Sequence, residues 1–371
     1  SMNSFAQQNL TSDLVGMANT VDSNLVNPWG ISFPPGGPFW VSDNGTGVAT
    51  LYNGLGQPFP SGNPLVVTIP VPPGMSGASA PTGQLFNPSS DFQLSPGNPA
   101  RFIFATEDGT IAGWNPNVSP TTAVLEVNNS ASAVYKGVTL GNTGTGNFLY
   151  AANFHAGTVD VFNASFQQVH LSGSFTDANL PQGYAPFDIK NIDGKLYVTY
   201  ALQDAVRHDD VAGAGNGYVD VFDLNGNLVK RLVSNGPLNS PWGETLAPQG
   251  FGPFGGDLLV GNFGDGEIDA FNVTSGAFLG TLDDSSGNPI SVDGLWGLTV
   301  GGGGSGGNPD LLYFTAGIAG GGQTEDHGLF GSISPTPEPD TTLLLATGLF
   351  GVLGLLWRRK SLRAFGRTPA T

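Results

Sequence analysis

The chain runs to 371 residues, with 29 acidic against 12 basic side chains and a formal charge of −17. Five of the twelve bases (Arg358, Arg359, Lys360, Arg363 and Arg367) crowd the last fourteen positions, so the body is more acidic still and repels phosphate backbones, which argues against nucleic acid as a partner. With 39% hydrophobic and 11% charged residues the composition is core-forming, and the absence of cysteine excludes disulfides, thiolate metal sites and cysteine nucleophiles.

Ser1-Met2 reads as a cloning remnant standing where a natural leader was. The stretch QQNLTSDL (7–14) precedes six copies of one pattern: an apolar strand, a short polar turn and a second strand ending in an aromatic. The copies are FWVSDNGTGVATLYN (39–53), FIFATEDGTIAGWN (102–115), FLYAANFHAGTVDVFN (148–163), LYVTYA…GYVDVFD (196–223), LLVGNFGDGEIDAFN (258–272) and LLYFTAG…GLFGSIS (311–334). A further short strand stands before each: PWGISF (28–33), SDFQLS (90–95), KGVTLG (136–141), PFDIKN (186–191), PWGETL (241–246) and LWGLTV (295–300). A fourth strand follows the first five, as in LVVTIP (65–70) or VKRLVS (229–234). Four strands per unit and six units predict an all-β fold, a six-bladed β-propeller over residues 1–335. The sixth unit lacks a fourth strand, so residues 7–14 are expected to supply it and close the ring against the 329–334 strand.

In such a fold the starts of the inner strands and the turns between the second and third strands meet at one mouth of the central channel. The first set contributes Asn27 and Trp29, Asp91, Lys136, Phe187 and Asp188, Trp242 and Glu244, and Trp296. The second contributes Asp43 and Asn44, Glu107 and Asp108, Asn153 and His155, Asp204, His208, Asp209 and Asp210, Asn262 and Asp265, then Glu325, Asp326 and His327. A ligand-binding face is therefore expected from Trp29, Asp43, Glu107, His155, His208, Trp242, Asp265, Trp296 and His327, with the tryptophans either forming an aromatic platform or packing between blades. The carboxylates and amides suit a hard cation such as Ca2+, for which Asp188, Glu244, Asn27 and Asn153 are the candidate ligands. The insertion QDAVRHDDVAGAGNGY (202–217) is long enough to cover the channel, and the Pro/Gly/Ser stretch 70–88 is a second long excursion.

The last element is TTLLLATGLFGVLGLLW (341–357), seventeen uncharged residues followed by Arg358, Arg359 and Lys360, a membrane-spanning helix with a basic cytoplasmic tail over 358–371. Pro337, Glu338 and Pro339 lie in the linker just before it, at 336–340. The Pro-Glu-Pro triplet, apolar span and arginine cluster together resemble the PEP-CTERM sorting signal of exported bacterial proteins. That resemblance implies an exosortase-type processing enzyme, export to the cell envelope or beyond, transient anchoring in the inner membrane, and an exopolysaccharide or envelope protein as partner. The repeats resemble six-bladed propellers of the NHL and gluconolactonase-like class, and the Pro-Trp-Gly and Asn-Phe-x-x-Gly elements are similar to secreted bacterial propellers of unknown function that carry this tail. The gluconolactonase-like resemblance implies a channel calcium and a glutamate at the first inner strand, where this sequence has Asn27. Two functions follow as expectations: an exported binding or interaction module without catalytic residues, or a calcium-dependent, lactonase-like hydrolase or lyase working at the channel mouth.

Overall fold

Short apolar runs punctuated by Gly, Asn and Asp turns cannot bury themselves singly, and the structure (a computed structural model describing residues 2–337) stacks them as six antiparallel sheets around one axis. Blade one shows the plan, running outward from Pro28–Ser32 through Phe39–Asp43 and Val48–Tyr52 to Val66–Thr68. The inner strands of the next five blades are Pro81–Phe86, Tyr135–Asn142, Tyr184–Ile192, Pro241–Leu246 and Leu295–Val300. The sixth sheet closes as expected: Phe5–Ser12 pairs antiparallel with Leu329–Pro335, Gln7 opposite Ile333 and Ser12 opposite Leu329, and Thr20–Val21 adds a short parallel fifth strand.

Blade two departs from the expectation. Its inner strand is PTGQLF (81–86), inside the stretch taken as a loop excursion, whereas Gln93–Ser95 pairs with Asn98–Pro99 in a separate two-stranded ribbon. Asp91 therefore does not enter the channel; its carboxylate accepts from Asn147 Nδ2 at 2.8 Å. The signal was in the residues, because Pro81-Thr82-Gly83 repeats the Pro-x-Gly of 28–30 and 241–243.

Aligned on that element, the six inner strands place Gly30, Gly83, Gly137, Asp188, Gly243 and Gly297 at one level. Each glycine lies against the inner strand of the next blade. A Cβ on Gly30 would sit 2.5 Å from the Thr82 carbonyl oxygen, one on Gly243 2.4 Å from that of Trp296, and one on Gly297 2.4 Å from that of Trp29. Only hydrogen fits between such backbones. Outward from this ring the apolar faces of neighbouring sheets interlock in six cores, one at each blade–blade junction; Trp40, Phe102 and Phe104 fill that between blades one and two. A seventh apolar cluster lies on the axis itself.

Gly297→Ala is expected to force the sixth and first blades apart and to cost about 1–3 kcal/mol, the range for overpacking a filled core. Urea denaturation checks this, with Gly250→Ala as the comparison, since its φ is not positive and a Cβ there meets nothing within 4 Å.

Candidate functional site

The residue before each ring position points toward the axis: Trp29, Thr82, Lys136, Phe187, Trp242 and Trp296. With Phe154 and Phe263 the aromatic members close the channel. Trp29 stacks on Trp296 with centroids 3.5 Å apart, Phe263 stacks on the same ring at 4.0 Å, and Trp242 meets both tryptophans edge-on. Trp29, Trp242 and Trp296 are 1–3% exposed, so they form a packed floor rather than an open platform. The Trp296 indole N–H donates to Asn27 Oδ1 at 2.9 Å and that of Trp242 to the Lys136 carbonyl at 3.1 Å, which satisfies both ring donors.

Lys136 stands on this floor, its Nζ 5.2 Å from the Trp29 centroid and 5.7 Å from that of Phe154. The buried ammonium donates to Glu107 Oε2 at 2.5 Å and to Asp209 Oδ1 at 3.3 Å. From there hydrogen bonds run around the mouth. Asn44 Nδ2 donates to Glu107 Oε1 at 2.7 Å, and Asn27 Nδ2 donates to Asn44 Oδ1 at 3.1 Å and to Glu325 Oε1 at 3.0 Å. His208 Nδ1 lies 2.9 Å from Asp209 Oδ1. The insertion 202–217 delivers the last two residues; it is pinned over the mouth by Gln203, whose amide donates to the Phe154 carbonyl at 2.7 Å, and by His155 Nδ1, 3.1 Å from the Arg207 carbonyl. Blades one, two, three, four and six thus meet in one polar network.

The charges follow from these contacts. Burial works against the Lys136 ammonium, but Glu107 and Asp209 outweigh it and hold the lysine above its ordinary range. The hydrogen bond with His208 and the Lys136 charge bring Asp209 down to about 2, and the same hydrogen bond raises His208. Desolvation, reinforced by Glu107, pushes Glu325 up to about 7. Among the described residues, Glu107, His208 and Asp209 form the acid–imidazole group whose donor atoms lie within 4.8 Å of one another, the spacing of a metal site. Lys136 already occupies its centre with a positive charge.

The other expected residues lie elsewhere. Asp43 is fully buried inside blade one, accepting from Thr50 Oγ1 at 2.6 Å, and Asp265 caps its own turn by accepting from the Glu267 amide. His327 sits at the rim with Nδ1 2.7 Å from Asp13. The four candidate calcium ligands do not form one set. Asn27 is committed to the mouth network, and Asn153 Oδ1 accepts the Val134 and Ala156 amides while its Nδ2 donates to Asp160. Asp188 and Glu244 lie below the aromatic floor, where the channel widens into a cavity of about 750 Å³. Two carboxylates fall short of the six to eight oxygens calcium takes, so these residues do not fit the ion that the resemblance implies. The lower cavity carries no motif in the linear sequence, whereas Phe154 and Phe263 of the floor are the phenylalanines of the two Asn-Phe-x-x-Gly elements.

Residues 335–360 match the PEP-CTERM protein-sorting motif, which implies export to the cell envelope and processing by an exosortase-type enzyme. Pro337 is the last described residue; Glu338, Pro339, Arg358, Arg359 and the apolar span 341–357 lie outside the described residues. Two uncharacterized proteins of Acanthamoeba polyphaga mimivirus are similar over most of the propeller. One, R648, is 34% identical over 302 residues, 78% of this chain and 72% of its own length; the other, L690, is 35% identical over 295 residues, 76% and 75%. The chain belongs to their family. Among solved structures, virginiamycin B lyase from Staphylococcus aureus aligns with 90% of this chain and 100% of its own at a TM-score of 0.50 and 11% identity, a likeness of fold alone.

Two outcomes test this description. Lys136→Met removes the cation that Glu107 and Asp209 share, leaving Glu107 with Asn44 as its donor, and is expected to cost about 3 kcal/mol, with Glu107→Gln in the same chain recovering much of it, as measured by denaturation. The second concerns pH. Burial pushes Asp220 and Asp269 up to about 7, as desolvation does Glu325, so each binds a proton more tightly folded than unfolded. Their stabilisation is present at low pH and lost as pH rises through 7, so the melting temperature is expected to climb from pH 8 to pH 5. It then falls below about pH 4, where Asp209, held down to about 2, gives up its contribution. Melting curves from pH 3 to pH 8 show either this maximum or its absence.

Proposed function

We propose that the protein is an exported binding module that takes a neutral, hydroxyl-rich polysaccharide at the channel mouth, on the bacterial envelope or on material released from it. The observation that carries this reading is the interlocked network of amides, carboxylates, imidazole and the Lys136 ammonium contributed by five blades above a packed aromatic floor. Donors and acceptors held by one another rather than by long flexible stems present fixed directions to a ligand at little entropic cost, which suits the repeated hydroxyls of a sugar chain. The net charge of −17 disfavours polymers of uronic acids and other anions. An envelope protein displaying such a glycan is the corresponding protein partner. In this reading the span 341–357 holds the chain in the inner membrane, Arg358 and Arg359 on the cytoplasmic side, until an exosortase-type enzyme acts near Pro337, Glu338 and Pro339.

The second reading, a calcium-dependent hydrolase or lyase, is favoured by a mouth network that holds both Glu325, pushed up to about 7, and a raised His208, two groups suited to proton transfer near neutral pH. The lysine at the centre of the acidic group speaks against a resident cation there, because a metal and Lys136 would compete for the same oxygens.

Affinity electrophoresis through dextran, with alginate as the anionic control, separates the readings. The full chain is expected to be retarded by dextran and not by alginate, and the pair His208→Ala with Asp209→Asn to weaken retardation at least tenfold without loss of fold by circular dichroism. Failure of every neutral glucan tested, or retardation unchanged in the variant, would sink the polysaccharide reading. Turnover of a lactone or ester that requires added calcium would replace it with the second.

A further inference from the structure

The lower cavity was not absorbed by any of this. It begins beneath Trp242 and the glycine ring and ends at the opposite face, where Pro35 and Pro88 are exposed at its rim. Its walls are largely apolar, with Ile31, Leu85, Phe86, Leu140 and Leu298 from four blades among its lining residues. At its inner end stand two acids on neighbouring blades. Asp188 takes the ring position that is glycine in the other five inner strands, and it has room because the facing residue is Gly137, where a Cβ would lie only 2.0 Å from Asp188 Oδ1. Glu244 is 1% exposed, and neither of its carboxylate oxygens has a hydrogen-bond partner.

The surrounding polar groups are spoken for. Ser32 Oγ donates to Gln84 Oε1 at 2.6 Å, Gln84 Nε2 donates to Ser42, and Thr139 Oγ1 accepts the Asn191 amide. Lys190 is the one base among the lining residues, so the two acids outnumber it. A buried carboxylate with no donor is costly and calls for a positive partner that brings its own donors. A bare metal ion fits poorly, since it needs six or more oxygens and would leave most of the 750 Å³ unfilled.

We propose that this cavity is a second binding site, taking an organic cation whose ammonium head reaches Asp188 and Glu244 while an apolar body fills the channel below the aromatic floor. Three N–H donors on a primary ammonium match the open oxygens of Glu244 and the neighbouring Asp188. The alkyl or aryl body displaces water from the apolar walls, and its size is set by a cavity in the range that small organic ligands occupy. The site shares no residue with the mouth network, so it stands whether or not the mouth binds a glycan.

Calorimetric titration of the full chain with n-hexylammonium chloride at pH 8, beside n-hexanol and calcium chloride, tests the proposal. Hexylammonium is expected to bind one to one, with a change in tryptophan fluorescence from Trp242, and hexanol at least tenfold more weakly. Glu244→Gln and Asp188→Asn should each weaken hexylammonium at least tenfold while leaving hexanol unchanged. Ser32→Phe, near the opening, should block both ligands, which keeps the test decisive if an acid variant fails to fold. Equal affinity for amine and alcohol, unchanged binding in Glu244→Gln, or stoichiometric calcium binding lost in that variant would each overturn the assignment. His208→Ala is expected to leave hexylammonium binding unaltered, which separates failure here from failure of the glycan reading.

Discussion

Six sheets can share one axis only if their innermost strands approach to backbone contact, and everything else in this propeller depends on that approach. Five glycines at one level permit it, each lying where a methyl group would meet the next blade's backbone or, at Gly137, the Asp188 carboxylate. Once the ring is drawn that tight, the side chains just above must meet on the axis. Trp29, Trp242 and Trp296 pack with Phe154, Phe187 and Phe263 in one cluster that divides the channel into two spaces. The polar mouth and the lower cavity are consequences of one steric condition.

The mouth then faces an electrostatic problem. Glu107 and Asp209 are brought beside an aromatic floor, and Lys136 resolves the repulsion by lying between them across the Trp29 face. Its ammonium bridges two of the three residues whose spacing would suit a metal ion. Below the floor the balance is reversed. Asp188 and Glu244 outnumber Lys190, and burial pushes both carboxyls well above their ordinary range. With both Glu244 oxygens unpartnered and one lysine for two acids, the inner end of the cavity has an opening that an incoming cation or a proton fills.

How far the sequence could be read varied with the range of the interaction. The repeat, the blade count and the closure by the N-terminal strand were legible, because they rest on apolar periodicity and on the need of Leu329–Pro335 for a partner. Blade two was misread because a Pro/Gly/Ser stretch looks like loop by composition, although Pro81-Thr82-Gly83 carries the same element as Pro28-Trp29-Gly30. Of the residues on equivalent turns, Asn44, Glu107, His208, Asp209 and Glu325 share one hydrogen-bonded network through Asn27 and Lys136. The same turns also suggested Asp43 and Asp265, which the local geometry claims instead, one for Thr50 within a strand pair and the other for its own turn.

By itself the sequence determined the architecture, the acidic character and the sorting signal, since each is written in local pattern, in composition or in one contiguous segment. Only the tertiary structure decided which polar residues face one another. Lys136 and Asp209 are 73 residues apart, and Asn27 and Glu325 nearly 300, so no spacing rule connects them. It also decided which faces are wet, for Trp242 and Glu244 stand two residues apart on one inner strand, yet one packs edge-on against Trp296 and the other is left without a partner in a cavity. The reason is physical: periodicity reports which side of a strand an atom takes, whereas the partner it meets there is set by how closely six separate strands pack about the axis.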